Sequence, residues 1–220
     1  MDRFEDKLWV PVGDRTTAPA NINEWEQKGN KITDLCHGHK VVVQAGGNLG
    51  YFPIKLSPIF DMVISFEPVH DTHECMMRNI HDYLGDDHNI MVENAGLSDV
   101  PSNGSAQVVL DHNCGATAVT EDAEGELRLT SIDEVYAMSN FSACDLIWLD
   151  IEGMEKKALM GAKETIETFK PVLVVENKGL IPGFGGNLYG SLEFDKWVTE
   201  EFNYKKLTRM MRDDIYVPAG

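Results

Sequence analysis

The stretch Val41-Val42-Val43-Gln44-Ala45-Gly46-Gly47-Asn48-Leu49-Gly50-Tyr51 decides the fold of this chain. Its three consecutive valines are typical of a strand that is buried on both faces. The glycines that follow allow a tight turn, close approach of the backbone to a ligand, and close packing of the next helix. The stretch therefore predicts a buried strand that ends in a cradle for a nucleotide-type cofactor.

Further strands are predicted downstream, and helical patterns separate them. The strand candidates are Met62 to Phe66, Ile90 to Glu93, Leu146 to Leu149 and Val172 to Val175. Apolar residues at helical spacing predict the helices, as in Met76, Ile80, Tyr83 and Leu84, or in Met154, Ala158, Ala162 and Ile166. The alternation predicts an α/β fold with a mostly parallel sheet flanked by helices.

Residues 1–40 are polar and precede this alternation. We interpret them as a lead-in or lid ahead of a single domain over residues 41–220, with Pro11 and Pro19 as breakers. One helix is predicted here, capped by Asn23 and continuing past Gly29 toward Leu35.

Two later regions depart from the alternation. Between residues 101 and 140 the alternation of strand-like and helix-like segments is interrupted. We predict an insertion near the ligand site there, with short strands at Gln107 to Leu110 and Glu126 to Thr130. Beyond a loop at Gly183 to Gly186, we expect a helix from Ser191 to Phe202 and a terminal pair of strands over Tyr204 to Val217.

Composition excludes several classes of function. The formal net charge of −17 over 220 residues would repel a nucleic acid, and no cluster of basic residues reverses it locally. The four cysteines form no C-x-x-C pair, which favours free thiols in a reducing compartment. No basic leader with an apolar run and no stretch of about 18 apolar residues is present. We expect a cytoplasmic protein that does not enter a membrane.

Polar residues follow each predicted strand, where a doubly wound sheet binds its ligand. Glu67 lies about twenty residues beyond the glycine turn, the spacing at which a carboxylate binds the hydroxyls of an adenosine ribose. Other acids lie at or near the later strand ends, namely Asp150, Glu152, Glu155 and Glu176. They suit the sulfonium cation of S-adenosylmethionine, and the turn has no cation to hold a pyrophosphate. A nicotinamide-dependent oxidoreductase stays open as an alternative.

From residue 41 to residue 176 the chain resembles the FkbM-type S-adenosylmethionine-dependent methyltransferases. The resemblance rests on an ordered series: Gly46 to Tyr51, Phe66-Glu67-Pro68, Asn79-Ile80, Leu97-Ser98-Asp99, Ser131 to Glu134, Asp145 to Glu155, Leu159-x-Gly161-Ala162 and Pro171 to Glu176. It implies a Rossmann-like class I methyltransferase fold with a terminal antiparallel strand. It also implies methyl transfer to a small polar acceptor such as a sugar hydroxyl.

The resemblance assigns a cofactor site. Gly46, Asn48 and Gly50 would line the methionine portion, Glu67 would hold the ribose, and Leu97 and Ser98 would flank the adenine. Gly47 and Gln44 complete the predicted cradle. Gln44 stands where the family usually has an acid, and its carbonyl could still bind the cofactor's ammonium group without charge assistance. We therefore keep a second hypothesis, a cofactor-binding protein without transferase activity, and expect Gln44→Asp to raise cofactor affinity.

Asp150 is the leading candidate for the catalytic neighbourhood, because it ends the fourth strand of the alternation. Glu152 and His112 are the other candidates for proton transfer, although helix capping would also explain Asp150 and Glu152. Asp150, Glu176 and Asn177 could instead bind a divalent cation such as Mg²⁺, a grouping similar to that in catechol-type O-methyltransferases. His70 is expected to start a helix, and Trp148 to lie in the core.

Overall fold

The computed structural model describes residues 1–5, 7–108, 112–178, 181–183 and 190–220. The strands are β1 (Asp2–Phe4), β2 (Leu8–Val10), β3 (Val41–Ala45), β4 (Met62–Phe66), β5 (Ile90–Glu93), β6 (Gly96–Leu97), β7 (Ser102–Val108), β8 (Thr117–Glu121), β9 (Leu127–Thr130), β10 (Leu146–Leu149), β11 (Val172–Glu176), β12 (Tyr204–Met210) and β13 (Asp213–Pro218). The α-helices are α1 (Thr17–Glu24), α2 (Asn30–Thr33), α3 (Tyr51–Leu56), α4 (His70–Leu84), α5 (Ile132–Met138), α6 (Glu155–Met160), α7 (Lys163–Phe169) and α8 (Leu192–Phe202). Within these ranges, no helix has the length and apolar character needed to cross a membrane.

The central sheet has seven strands in the order β12-β13-β11-β10-β3-β4-β5. Pairing is parallel from β5 to β11, whereas β13 runs antiparallel to both β11 and β12. The chain builds outward from β3 to β5 and then returns to place β10 on the other side of β3. Strand order therefore reverses between β3 and β10, which is where open α/β sheets bind ligands. This confirms the predicted mostly parallel sheet with a terminal antiparallel strand.

Both faces of the sheet are covered, as the valine run predicted. Val41 and Val43 pack into one apolar cluster with residues of α5, α6, α7 and α8. Val42 packs into the opposite cluster with residues of α1, α3 and α4. Each of these valines is at least nine-tenths buried, and such burial stabilises a fold by roughly 1.5–3 kcal/mol per side chain. Trp148 is buried in the second cluster, as expected.

The predicted insertion is larger than the sequence indicated. It forms a four-stranded sheet in the order β6-β9-β7-β8. The predicted strand at Gln107 to Leu110 corresponds to the end of β7, and its residues 109 and 110 lie outside the described ranges, as do residues 184–186 of the predicted loop. Strand β8 was missed because its residues are only partly buried, so pairing with β7 rather than an apolar pattern makes it a strand.

The first 40 residues are more ordered than predicted. A hairpin of β1 and β2 opens the chain, and α1 begins six residues before Asn23, so the predicted helix start was wrong. Pro19 does not break this helix because it lies in the first turn, where a backbone N–H is not required. A π-helical segment, Trp25–Gly29, joins α1 to α2, so the helix does pass Gly29 as predicted.

The other predicted helices are present, but one of them is divided into two. His70 is the first residue of α4, and Ser191 caps α8 by accepting the N–H of Phe194. The pattern from Met154 to Ile166 is divided into α6 and α7 at Gly161, where a side chain would overlap the carbonyl oxygen of Ser98. Close packing against the β6 segment therefore breaks a pattern that reads as one helix.

Asn79 connects the N-terminal hairpin to the glycine turn. It is fully buried on α4, accepts the N–H of Trp9 at 2.6 Å, and donates to the carbonyls of Trp9 and Leu49 at 2.9 and 2.8 Å. We expect Asn79→Ala to lower the free energy of unfolding by about 2–4 kcal/mol, because it leaves buried backbone groups without partners. Urea unfolding followed by circular dichroism measures this.

Met77→Ala is the matched control, because Met77 lies on the same helix with 42% of its surface exposed. It should change the free energy of unfolding by about 0.5 kcal/mol or less. Equal effects of the two substitutions would contradict the role given to Asn79.

Candidate functional site

A cavity of about 360 Å³ lies at the carboxyl ends of the parallel strands, across the reversal between β3 and β10. One side is formed by residues that follow β3, β4 and β5, and the other by residues that follow β10, β11 and β12. Residues of α1 and of the segment 113–119 also line it. Of the predicted site residues, those lining the cavity are Gln44, Gly46, Gly47, Asn48, Glu67, Leu97, Asp150 and Glu152.

The glycine turn brings the ends of β3 and β10 into contact. Gly46 has a φ of 81°, and a Cβ atom there would overlap the backbone carbonyl oxygen of Asp150. Only glycine satisfies both constraints. Gly47 and Asn48 continue the cavity wall, whereas Gly50 packs against Met76 of α4 and does not line the cavity.

Glu67 lies opposite the turn, as the spacing predicted. Its carboxylate is buried and accepts the N–H of Asn48 at 2.8 Å and that of Val69 at 2.9 Å. Burial raises the pKa of Glu67 to about 7, against the lowering effect of these two hydrogen bonds. Each carboxylate oxygen keeps a second lone pair, so the group can accept two more hydrogen bonds from a ligand in the cavity.

Gln44 is fixed by its own turn. Its Nε2 donates to the carbonyls of Ala45 and Gly46 at 3.2 and 3.0 Å, and its Oε1 accepts the hydroxyl of buried Ser65 at 2.6 Å. A carboxylate in this place would face two carbonyl oxygens in a site that is 2% exposed. These contacts argue against the expectation that an acid at this position would strengthen cofactor binding.

The two residues predicted to flank the adenine have different environments. Leu97 lines the cavity together with Ala95 and Gly96. Ser98 is fully buried and donates to Glu121 and Asp99, away from the cavity. The alternation of side chains along an extended segment places these neighbours on opposite sides.

Asp150, Glu152 and Glu176 form an acidic cluster whose oxygens lie within 4.8 Å of one another. Lys178, which the sequence reasoning missed, lies between two of them, with Nζ 2.7 Å from Glu152 and 2.8 Å from Glu176. Burial, followed by the charge of Asp150, raises the pKa of Glu176. A lysine two residues after a strand end gives no sequence signal that it will neutralise acids from two strands.

Asn177 does not join this cluster. Its amide donates to the carbonyl of Ser191 and to Asp214, and its carbonyl accepts the N–H of Ser191 at 3.0 Å. The Asp150, Glu176 and Asn177 grouping proposed for Mg²⁺ is therefore not assembled. Asp150 and Glu176 do lie together with Glu152, but the ammonium group of Lys178 already contacts Glu152 and Glu176, which disfavours a divalent cation between these acids.

A run of ion pairs connects this acidic end to the N-terminal helix. Arg212 lies 3.2 Å from Glu176 and 3.0 Å from Glu24 of α1. Lys28, in the π-helical segment, lies 3.3 Å from Glu24 and 2.6 Å from buried Asp213. Residues predicted only as a lead-in or lid therefore form one wall of the cavity and share its charges.

A second connection joins α1 to the insertion. Asp14 accepts the N–H of Thr17 at 3.0 Å and that of Cys114 at 2.7 Å. Burial opposes ionisation, but the hydroxyl of Thr17, which donates to Asp14 at 2.6 Å, and these two N–H groups hold the pKa of Asp14 below its ordinary value. His112 precedes this contact; it is exposed, lies near Gly13, and is not among the described residues that line the cavity.

The capping role considered for Asp150 and Glu152 belongs to Glu155. Its buried carboxylate accepts the N–H groups of Ile151 and Gly153 at the start of α6, the latter at 2.9 Å. Glu152 instead adopts a positive φ of 51° and pairs with Lys178. Helix capping, which the sequence left open as an explanation for Asp150 and Glu152, therefore does not account for either residue.

Comparison with solved structures shows the same fold at low sequence identity. A methyltransferase FkbM from Methylobacillus flagellatus KT aligns with a TM-score of 0.54 and 18% identity over 81% of this chain and 43% of its own. This chain therefore spans less than half the length of that protein. Magnesium protoporphyrin IX methyltransferase from Synechocystis PCC 6803, with bound S-adenosylhomocysteine (SAH), aligns with a TM-score of 0.51 and 10% identity over 91% of this chain and 84% of its own.

No curated protein sequence matches the chain. The model of the methyltransferase FkbM domain matches residues 44–206, a range that begins at Gln44 and extends into β12. It contains the glycine turn, Glu67, the insertion and the acidic cluster. The chain belongs to the FkbM methyltransferase domain family.

Proposed function

We propose that this protein transfers a methyl group from S-adenosylmethionine to a hydroxyl group of a small polar acceptor, such as a sugar. The observation that carries the proposal is a single cavity with the glycine turn and Glu67 at one end and an acidic cluster at the other. When bound there, the cofactor would supply an activated methyl group on a positively charged sulfur.

Glu67 would accept hydrogen bonds from the ribose hydroxyls with the lone pairs that Asn48 and Val69 leave free. Gly46 and Gly47 would let the cofactor approach the backbone of the turn, and Leu97 would contact the adenine. From β4 to β11 the sheet spans three strand spacings, roughly 14 Å, so the cofactor would extend from Glu67 toward the acidic cluster.

The polar side chains at the acidic end support a hydroxyl-bearing acceptor. Asn21, Glu24, Lys178 and Arg212 line the cavity there, so this end offers both hydrogen-bond donors and acceptors. A hydroxyl group can donate and accept, and can therefore bind both kinds of side chain. Asp150 and Glu152 are the acids at this end that could take the proton released on methyl transfer.

Two alternatives differ from the proposed enzyme, one in the charge of its cofactor and the other in the absence of turnover. A nicotinamide dinucleotide brings a pyrophosphate, but the two cations among the described lining residues, Lys178 and Arg212, lie at the far end and pair with acids. A binding protein without transferase activity would have the same cofactor cradle. It would differ from the proposed enzyme in producing no SAH from S-adenosylmethionine with any acceptor.

Calorimetric titration with SAH and measurement of SAH release across a panel of glycosides test the proposed function. We expect SAH to bind with a Kd in roughly the micromolar range. EDTA should leave binding and turnover unchanged, because Lys178 occupies the position between the acids. No SAH binding at high micromolar concentration would exclude the proposal.

Gly46→Ala should abolish SAH binding, because its Cβ would displace the Asp150 backbone beside the cavity. Gly85→Ala is the matched control, since Gly85 has a similar φ of 76° and nothing within 4 Å of an added Cβ. It should retain SAH binding although an alanine is strained by the positive φ there as well.

The pKa of Glu67 predicts a pH dependence of cofactor binding. Below about pH 7 the carboxyl group is protonated and offers fewer acceptors to the ribose, so affinity for SAH should rise between pH 6 and pH 8. The expected change is up to about tenfold per pH unit below the pKa. Calorimetry at pH 6, 7 and 8 measures it.

Glu67→Gln should flatten this pH profile and weaken binding by about tenfold. Glu126→Gln, at an exposed position in the insertion, should leave both unchanged. A profile that keeps its slope in Glu67→Gln would show that another group controls binding.

Gln44→Glu tests whether an acid at the end of β3 helps this chain. We expect it to lower the free energy of unfolding by about 1–3 kcal/mol and to weaken SAH binding, because a carboxylate would face the carbonyls of Ala45 and Gly46. Gln107→Glu, at an exposed position on β7, is the control. Tighter SAH binding by Gln44→Glu would contradict this prediction.

A further inference from the structure

We propose that Asp150 supplies the carboxylate that binds the ammonium group of the cofactor's amino acid portion. This inference rests on the proposed function and assigns a role within it. It also separates Asp150 from Glu152, which would remain the acid available to an acceptor hydroxyl.

The position of Asp150 follows from the strand register. Trp148 pairs with Gln44 and Leu149 pairs with Ala45, and the N–H of Asp150 donates to the Ala45 carbonyl at 3.1 Å. Side chains two residues apart on a strand share a face. Asp150 therefore lies on the same face as Gln44 and Trp148, one step nearer the cavity and directly beside the glycine turn.

Gln44 has little capacity left for a ligand. Both hydrogens of its amide are directed at backbone carbonyls, and its carbonyl accepts the hydroxyl of Ser65. An ammonium group held at the end of β3 therefore needs an acceptor from a neighbouring strand. Asp150 is the acid that the next strand, β10, places there.

Asp150 also differs from the other acids that line the cavity. Glu24 pairs with Lys28 and Arg212, Glu152 pairs with Lys178, and Glu67 accepts two backbone N–H groups. Among the described residues, no lysine or arginine nitrogen lies within 4.0 Å of the Asp150 carboxylate. Its neighbour is the carboxyl group of Glu176, which hydrogen-bonds to Asp150 and whose pKa is raised by burial and by the charge of Asp150. Asp150 is thus a partly buried carboxylate with a second acid beside it and no described cation in contact, which is costly unless a cation is bound.

The surrounding charges favour a cation at this place. The acidic end holds five carboxyl groups, from Glu24, Asp150, Glu152, Glu176 and Asp213, against the cations of Lys28, Lys178 and Arg212. Asp150 helps to raise the pKa of each of these three cations, although each is paired with another acid. An ammonium group beside Asp150 would reduce the excess of negative charge and donate hydrogen bonds to the free carboxylate.

Calorimetry with two ligands tests the proposal: SAH and its desamino analogue, in which hydrogen replaces the amino group. Asp150→Asn should weaken SAH binding at least about tenfold and leave binding of the desamino analogue within about twofold. Glu126→Gln, at an exposed position outside the cavity, is the matched control and should bind both ligands as the wild type does. If Asp150→Asn does not fold by circular dichroism, Asp150→Ser replaces it.

Each other result overturns the inference in a distinguishable way. Equal losses for the two ligands would show that Asp150 does not interact with the amino group. Unchanged SAH binding with weaker binding of S-adenosylmethionine would assign Asp150 to the sulfonium instead. Unchanged binding of all ligands with loss of methyl transfer would assign it to the acceptor's proton. If the wild type binds neither SAH nor S-adenosylmethionine, the proposed function fails as well.

Discussion

The close approach of the Gly46 backbone to the carbonyl of Asp150 is the constraint on which this site depends. Strand order reverses between β3 and β10, and the two strand ends meet there with no side chain between them. That contact opens the cavity on the carboxyl side of the sheet and places the turn and the acids in one space. A larger residue at position 46 would separate the two strand ends that hold the cofactor cradle and the acidic cluster.

The second constraint is the compensation of buried charge. The acids at the ends of β10 and β11 come so close together that they need cations, and Lys178 and Arg212 supply them. Lys28, from the N-terminal region, pairs with the neighbouring buried Asp213. Because Arg212 and Lys28 both contact Glu24, the same pairs hold α1 against the sheet. The same ion pairs therefore neutralise the buried acids and close the cavity wall. Among the described residues, they leave Asp150 as the acid of this cluster without a cation in direct contact.

The elements that could be predicted are those whose residues carry their own pattern. The five strands from Val41 onward, the helix that starts at His70 and the position of Glu67 follow from apolar spacing and chain distance. Strand β8 and the start of α1 could not be predicted in this way. The first is a strand because β7 pairs with it, and the second begins where Asp14 accepts the N–H groups of Thr16 and Thr17.

The sequence by itself determined the α/β alternation, the glycine turn, the acid about twenty residues beyond it and the family, because each is encoded in local order along the chain. Only the tertiary structure decided which polar residues line the cavity. It directs Ser98 and Asn177 into the interior, commits Gln44 to its own turn, and brings Lys178 between Glu152 and Glu176. Hydrogen bonds and ion pairs between residues that are distant in the sequence fix these orientations, and such contacts cannot be predicted from residue spacing or composition.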